Sequence, residues 1–288
     1  MNQVKRIILL GATGMLGNAV LRLLVENEQT VVLGSIRSIG GARLFPANLR
    51  EHLLVGVNVE NTDSLIRLFE QTRPDVVINC VGLVKQRAEA DDPLQAIPIN
   101  TLLPHRLARL CQVAGARLVH ISTDCVFSGS KGMYCESDLC DAQDLYGQSK
   151  HLGEVDYPNA VTLRTSIIGH ELGGAHGLIG WFLAQQGPVR GFTRAVFSGL
   201  PTVELARLIR DQILPRPELH GVYHVSVDPI NKFDLLQLVA AAYECDNEIT
   251  PDDKLVIDRS LDSSRFRHIT GYIPPAWTEL VRRMREFG

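Results

Sequence analysis

Clustered cysteine ligands, long apolar runs and an excess of charge of either sign are all missing from this chain of 288 residues. The six cysteines, Cys80, Cys111, Cys125, Cys135, Cys140 and Cys245, form no C-x-x-C pair and are joined by no histidine cluster at zinc spacing. No metal is therefore expected, and Cys125, Cys135 and Cys140 lack a fourth ligand at a usual spacing. Free thiols suit a reducing compartment. The apolar stretch "IILLGATGMLG" is too short for a membrane span, and its glycines read as strand and turn rather than as a signal peptide. Cytoplasmic placement follows. A formal net charge of -3 and a pI near 6.3 give no electrostatic case for nucleic acid or a membrane surface as partner.

What is present is 45% hydrophobic residues in a length that suits one large globular domain, or one with a small satellite. Short continuous apolar runs alternate with amphipathic stretches. "RIILL" is followed by the helical "AVLRLLVEN", then by the strand "TVVLGSIRS" and the strand "HLLVGVNVE". The helix "TDSLIRLFEQT", the strand "PDVVINCVG", the helix "LPHRLARLCQVAG" and the strand "RLVHISTDCVF" continue the order. The helix "LYGQSKHLGEV" and the strand "AVTLRTSIIG" complete it. Such alternation predicts an α/β fold, a Rossmann-type doubly wound parallel sheet. After residue 170 the spacing becomes irregular and Gly-rich, which reads as a small, partly irregular C-terminal substrate subdomain. The expected division is 1–170 for the nucleotide domain and 171–288 mainly for substrate, with about 196–230 returning to the core.

Directly after the first strand stands "GATGMLG", with Gly11, Gly14 and Gly17 spaced through it and Thr13, Met15 and Leu16 between them. Glycines there permit a sharp turn, close approach of backbone to a pyrophosphate and packing of helix on strand. In a strand-turn-helix context this predicts a dinucleotide site. The end of the second strand, "LGSIRS", offers Ser35 and Arg37 where an NAD site would carry a carboxylate. Arg37 can pair with a 2'-phosphate, so NADP(H) is the expected cofactor.

Tyr146 and Lys150 stand at i, i+4 in "DLYGQSKHLGE", which puts phenol and ammonium one helical turn apart. A cation beside a phenol favours its ionised form, and a tyrosine so placed can serve as general acid for a carbonyl. Thr123, in "HISTDCVF", falls at the carboxyl end of a parallel strand, the edge at which ligands bind in such sheets. It would hold the carbonyl oxygen, while Lys150 would also reach the cofactor's ribose.

"GATGMLG", "STDCVFSG", "YGQSK" and "LRTS", in this order and spacing, resemble the extended short-chain dehydrogenase/reductase superfamily, and most closely its dTDP-4-dehydrorhamnose reductase branch. "SGLPTVELA" and "DSSRF" extend the resemblance almost to the end of the chain. It implies that Thr123, Tyr146 and Lys150 are catalytic and that Gly11, Gly14 and Gly17 form the nucleotide loop. It further implies that Asn58 and Val59 meet adenine, and that Arg164 and Ser166 meet nicotinamide and substrate. Cys80, Val81 and Gly82, after the fourth strand, join the expected cofactor set. The implied activity is NADPH-dependent reduction of a 4-keto-6-deoxy sugar nucleotide, in deoxysugar or cell-surface polysaccharide biosynthesis.

The expected substrate contacts are Lys85, Thr123, Asp124, Cys125, His170, Trp181 and Arg190. Arg190 and Arg194 suit either a diphosphate or a solvated loop, and Trp181 either packing or a sugar platform. Cys125 departs from the Thr-Asp-Tyr usual in the branch, and it also occupies the place of a dehydratase's Glu. The alternatives are therefore an epimerase or dehydratase of the same superfamily, or a non-catalytic NADP-binding regulatory subunit similar to that of methionine adenosyltransferase. A homodimer is left open.

Overall fold

The computed structural model describes residues 4–84 and 88–288, so Lys85 lies outside the described residues. Fourteen strands and twelve α-helices follow one another along it. The first half runs β1 (Lys5–Leu10), α1 (Met15–Val25), β2 (Thr30–Ile36), the short helices α2 (Ile39–Ala42) and α3 (Ala47–Arg50), β3 (Leu53–Val55) and α4 (Thr62–Thr72). It continues with β4 (Val76–Asn79), α5 (Pro93–Ala96), α6 (Leu103–Ala114), β5 (Arg117–Thr123), α7 (Leu145–Leu152) and β6 (Ala160–Thr165). Beyond these come β7 (Ile167–Ile168), α8 (Leu178–Leu183), β8 (Val189–Phe192), β9 (Ala195–Phe197), β10 (Leu200–Pro201) and α9 (Thr202–Leu208). The chain ends with β11 (Gly221–His224), β12 (Ile230–Asn231), α10 (Lys232–Tyr243), β13 (Ile249–Asp252), β14 (Ile257–Asp258), α11 (Ser264–Thr270) and α12 (Trp277–Phe287).

Seven strands form one sheet in the order β11-β6-β5-β4-β1-β2-β3. Every pairing in it is parallel. This is the Rossmann-type α/β fold that the alternating pattern predicts. Side chains alternate between faces, so each central strand feeds two cores. Ile7, Leu9, Val119, Val161 and Leu163 pack with α1 and α9 on one face. Ile8, Leu10, Val77, Leu118 and Ala160 pack with α4 and α6 on the other. The edge strand β3 is only three residues long, shorter than the run "HLLVGVNVE" suggests. Burial on one side only leaves an edge strand little to extend it.

The segment after residue 170 contributes to both parts of the molecule. β11 joins the large sheet beside β6, with Gly221 opposite Val161. β12, β9 and β14 form a separate three-stranded sheet, and β13 pairs with β8. α12 returns to the first helix: Arg22 donates to the Phe287 carbonyl at 2.7 Å and its guanidinium lies 3.8 Å from the Phe287 ring centre. Among the described residues, no helix is long and apolar enough to cross a membrane.

Candidate functional site

The glycine loop is tightest at Gly11 and Gly17. Gly11 has φ +85°, a left-handed conformation that favours glycine. A Cβ on Gly17 would stand 2.1 Å from the Gly11 carbonyl oxygen, whereas one on Gly14 would stand 3.3 Å from it. Gly14 caps α1, so the helix N-terminus opens at the loop, a ready site for an anion. Thr13 and Gly14 are exposed, Met15 is half-buried and Leu16 is packed in the core.

Ser35 is buried and braces this loop: its hydroxyl accepts from the Gly11 N–H at 3.3 Å and its carbonyl from the Ala12 N–H at 3.1 Å. One acceptor site of the hydroxyl is thus used by the protein's own backbone, and its O–H remains free to donate. Arg37, one residue beyond β2, is exposed. Asn58 is exposed and hydrogen-bonded within its own turn, while Val59 is buried against the α4 side of the sheet. After β4, Val81 lies against Gly11, and Gly82 approaches Lys150, whose Nζ would be 3.9 Å from a Cβ placed there. Burial pushes the Cys80 thiol up to about 12, which keeps it protonated.

Thr123 ends β5 and caps a short 3-10 turn, accepting from the Cys125 N–H at 3.1 Å and donating to the Asp124 carboxylate at 3.2 Å. Tyr146 and Lys150 project from α7, whose first turn is capped by Asp144 through the Gly147 N–H at 2.7 Å. Gly147 is required there, since a Cβ would meet the Cys125 carbonyl oxygen at 2.3 Å. The Tyr146 phenol faces the Thr123 hydroxyl. Burial pushes that phenol above its ordinary value of 10.0, with Cys125 adding to the rise and Thr123 opposing it.

The expectation that the neighbouring ammonium favours the phenolate is not met. Lys150 is buried, its Nζ donates to the Ile121 carbonyl at 2.8 Å, and it is not among the leading influences on Tyr146. Burial lowers the Lys150 amine to about 8, against the pull of Glu154. The tyrosine is consequently held as a neutral acid with its proton available.

Sequence reasoning missed Asn100. It sits in a π turn, Ile97–Leu102, where its side chain accepts from the Leu83 N–H at 2.9 Å and donates to the Ser149 hydroxyl at 3.2 Å. One amide thereby ties the segment after β4 to α7. π turns inside helices often mark functional sites, but "IPINTL" carries no spacing signal for one.

Arg164 and Ser166 do not stand alike. Arg164 is buried and holds Glu154 through Nε at 2.8 Å and Nη2 at 2.7 Å, with Nη1 against His224 at 2.9 Å. Its guanidinium is committed to the scaffold on the face of the sheet that carries Ser122. Ser166 is half-buried, and its carbonyl accepts from the Leu200 N–H at 2.9 Å. Cys140, His151 and Glu154 bring ligand atoms within 4.8 Å of one another. Glu154 is already shared by Arg164, Ser122 and His151.

The residues expected to meet substrate are dispersed. Asp124 and Cys125 adjoin Thr123; burial raises both, the thiol to about 12. His170 bonds the Tyr243 hydroxyl at 2.7 Å and lines a small crevice with Met15, Arg22 and Phe287, among the helices. Trp181 is 39% exposed on α8. Arg190 is exposed and pairs with Asp252 at 3.5 Å.

Comparison with known proteins fits this architecture. The probable low-salt glycan biosynthesis reductase Agl14 of Haloferax volcanii is 32% identical over 176 residues, covering 59% of this chain and 56% of that protein. This chain thus spans about half the length of that relative. A dTDP-4-dehydrorhamnose reductase of Aggregatibacter actinomycetemcomitans is 24% identical over 98% of this chain and 99% of its own. The crystal structure of dTDP-4-dehydrorhamnose reductase from Bacillus anthracis in complex with NADP superposes with a TM-score of 0.79 at 21% identity, covering 98% of this chain and 99% of that one. The sequence pattern of the RmlD substrate binding domain matches residues 5–286, nearly the whole length, and the chain belongs to that family, a branch of the extended short-chain dehydrogenases/reductases.

Proposed function

We propose that this protein is an NADPH-dependent reductase of a 4-keto-6-deoxy sugar nucleotide, acting in the cytoplasm in deoxysugar or cell-surface polysaccharide synthesis. The observation that carries the proposal is Tyr146 facing Thr123 at the carboxyl edge of β5, with Lys150 one turn along the same helix. A nucleotide-binding module has no need of an acid and a carbonyl anchor side by side.

The cradle suits a nicotinamide dinucleotide: Gly11, Gly14 and Gly17 admit a pyrophosphate at the start of α1, and Gly82, which has no side chain, stands beside Lys150. When bound, that cofactor supplies the hydride. Gly11, Gly14 and the N-terminal amides of α1 hold its phosphates, and Lys150 takes its ribose hydroxyls. Arg37, free of the sheet at the end of β2, takes a 2'-phosphate. Thr123 orients the keto oxygen, and Tyr146, kept protonated by its buried setting, gives that oxygen a proton as the alcohol forms. Asp124 and Cys125 border the sugar, with the thiol in a place where relatives carry a larger side chain.

Tyr146→Phe tests this directly. Oxidation of NADPH would be followed with 4-keto-6-deoxy sugar nucleotides of the dTDP, UDP and GDP series. The variant should retain NADPH affinity and lose turnover by a factor on the order of 10² to 10⁴. Binding of NADPH without its oxidation by any of these ketones in the unaltered protein would leave a non-catalytic subunit as the better reading. Loss of water from a 4-hydroxy sugar nucleotide would instead identify a dehydratase.

A further inference from the structure

The end of α7 opposite Tyr146 carries side chains that the chemistry proposed above does not use. Cys140 Sγ, a ring nitrogen of His151 and a carboxylate oxygen of Glu154 lie within 4.8 Å of one another. Cys140 comes from the loop before α7, His151 from the last turn of that helix and Glu154 from just beyond it. Thiolate, imidazole and carboxylate are the protein ligands that zinc takes.

Two of the three are held in place before any ion arrives. Glu154 Oε1 accepts from the Ser122 hydroxyl at 2.7 Å and from Arg164 Nε at 2.8 Å, and its Oε2 accepts from Arg164 Nη2 at 2.7 Å. Cys140 packs against the buried cluster of Val126, Phe127, Tyr134 and Leu261. Its neighbour Asp141 clamps Ser128, accepting from the N–H at 2.7 Å and from the hydroxyl at 2.6 Å. The third, His151, is 48% exposed in its side chain, so an ion can enter from solvent and the ring can turn to meet it.

The contact between His151 and Glu154 decides what fits between them. Nδ1 stands 3.1 Å from Oε2, and two bare lone pairs repel at that distance. A positive charge must lie between: a proton on Nδ1, or a metal ion that takes both lone pairs in its place. With zinc bonds of about 2.0–2.3 Å, the ligand atoms around a tetrahedral ion stand roughly 3.3–3.6 Å apart. The imidazole and carboxylate are close to that spacing already, and the 4.8 Å limit leaves the thiol at most about 1.3 Å to cover. Arg164 stays on the carboxylate throughout, as the outer partners of ligating carboxylates do.

We propose that Cys140, His151 and Glu154 form a three-ligand site for a divalent ion of the zinc class, with the fourth position open to solvent. Binding releases the thiol proton of Cys140 and leaves the imidazole proton on Nε2. Thiolate and imidazole favour zinc over magnesium and calcium, which take oxygen ligands. Bound there, the ion ties the loop before α7 to the end of that helix, and through Arg164 to β6. It touches no reacting atom; its role is to fix the helix that carries Tyr146 and Lys150. No zinc spacing in the sequence announces the site, because loop and helix end meet only in the fold.

The test takes the whole protein, treated with a chelator and dialysed, and titrates it with cobalt(II) and with zinc(II). Cobalt should give the near-ultraviolet charge-transfer band of a thiolate ligand, saturating at one ion per chain, and zinc should displace it. Cys140→Ser should abolish that band and weaken zinc binding by about tenfold or more, and His151→Gln should weaken zinc binding as much. Cys135→Ser, in the same loop, should leave both unchanged. Zinc should raise the melting temperature of the unaltered protein and of Cys135→Ser but not of Cys140→Ser. Because His151 is a surface side chain, its variant keeps the test decisive even where Cys140→Ser fails to fold. A band that survives in Cys140→Ser, zinc affinity unchanged in His151→Gln, an equal response to magnesium, or no saturable binding by the unaltered protein overturns the proposal. Every readout is of metal binding, so the site stands or falls apart from the reductase assignment.

Discussion

Arg164 grips Glu154 with two hydrogen bonds, 2.8 Å from Nε and 2.7 Å from Nη2, in a setting where both side chains are about 5% exposed or less. The carboxylate also accepts from the Ser122 hydroxyl at 2.7 Å, so the pair joins β5, β6 and the end of α7. Although burial by itself would raise it, the hydrogen bonds and charge of Arg164 hold the Glu154 carboxyl down, at about 2.

This pair should govern acid stability. A carboxyl whose folded pKa lies near 2 and whose unfolded value is 4.5 binds fewer protons in the native state between those values. Its contribution is complete above about pH 4.5 and is lost as pH falls through about 2. Arg164→Met leaves the buried carboxylate uncompensated and should cost about 3–5 kcal/mol at neutral pH, read by denaturant unfolding. Adding Glu154→Gln to it should recover part of the loss; no recovery would mean that the arginine acts through packing alone.

Lys150 should show the opposite sign. Its amine falls from 10.5 to about 8 on folding, so between those values the unfolded chain binds more protons and stability rises with pH. Below pH 8 the buried ammonium costs on the order of 3 kcal/mol. Lys150→Met is therefore expected to be more stable than the parent at pH 7, by about 1–3 kcal/mol, with the gap closing toward pH 10.5. NADPH binding should weaken in the same variant. A less stable variant at pH 7 would contradict the origin given for the low value.

Cofactor choice should depend on Arg37. Replacing it with Ala removes an exposed guanidinium beyond the end of β2, so folding should be unaffected. Fluorescence titration should then show NADPH affinity falling far more than NADH affinity. Equal or tighter NADH binding by the unaltered protein would defeat the preference for NADP(H).

The glycine loop should respond in a graded way. Gly17→Ala forces a methyl to within 2.1 Å of the Gly11 carbonyl oxygen, and something in the backbone must move. Gly14→Ala meets the same oxygen at 3.3 Å with φ -73°, a conformation alanine accepts. The first change should abolish dinucleotide binding and destabilise the domain by about 1–3 kcal/mol, while the second should cost a fraction of that. Similar affinities for the two variants would show that the crowding at Gly17 relaxes freely.

The large sheet was readable because its central strands are buried on both faces, which makes "RIILL" and "VVIN" unbroken apolar runs between turn residues. The glycine loop and the Tyr146–Lys150 spacing were readable because each is local. Asn100 and Arg259 were not, since only tertiary folding brings the one to Leu83 after β4 and the other to the Phe127 carbonyl beyond Thr123. Ser35 shows a subtler limit. Its position at the end of β2 was plain, but the direction of its hydroxyl, toward the Gly11 N–H, depends on how β1 and β2 are paired. His170 and Trp181 fall in the irregular region, where neither helical nor strand periodicity says which way a side chain turns.

The contact between Arg22 and Phe287, 265 residues apart, has a consequence for how the nucleotide loop is held. α1 packs against α9, and its Arg22 is tied to Phe287 at the end of α12, so the first helix is held by two elements from the second half of the chain. Loss of the Phe287 contact would therefore loosen the helix that begins at the glycine loop without touching the loop itself.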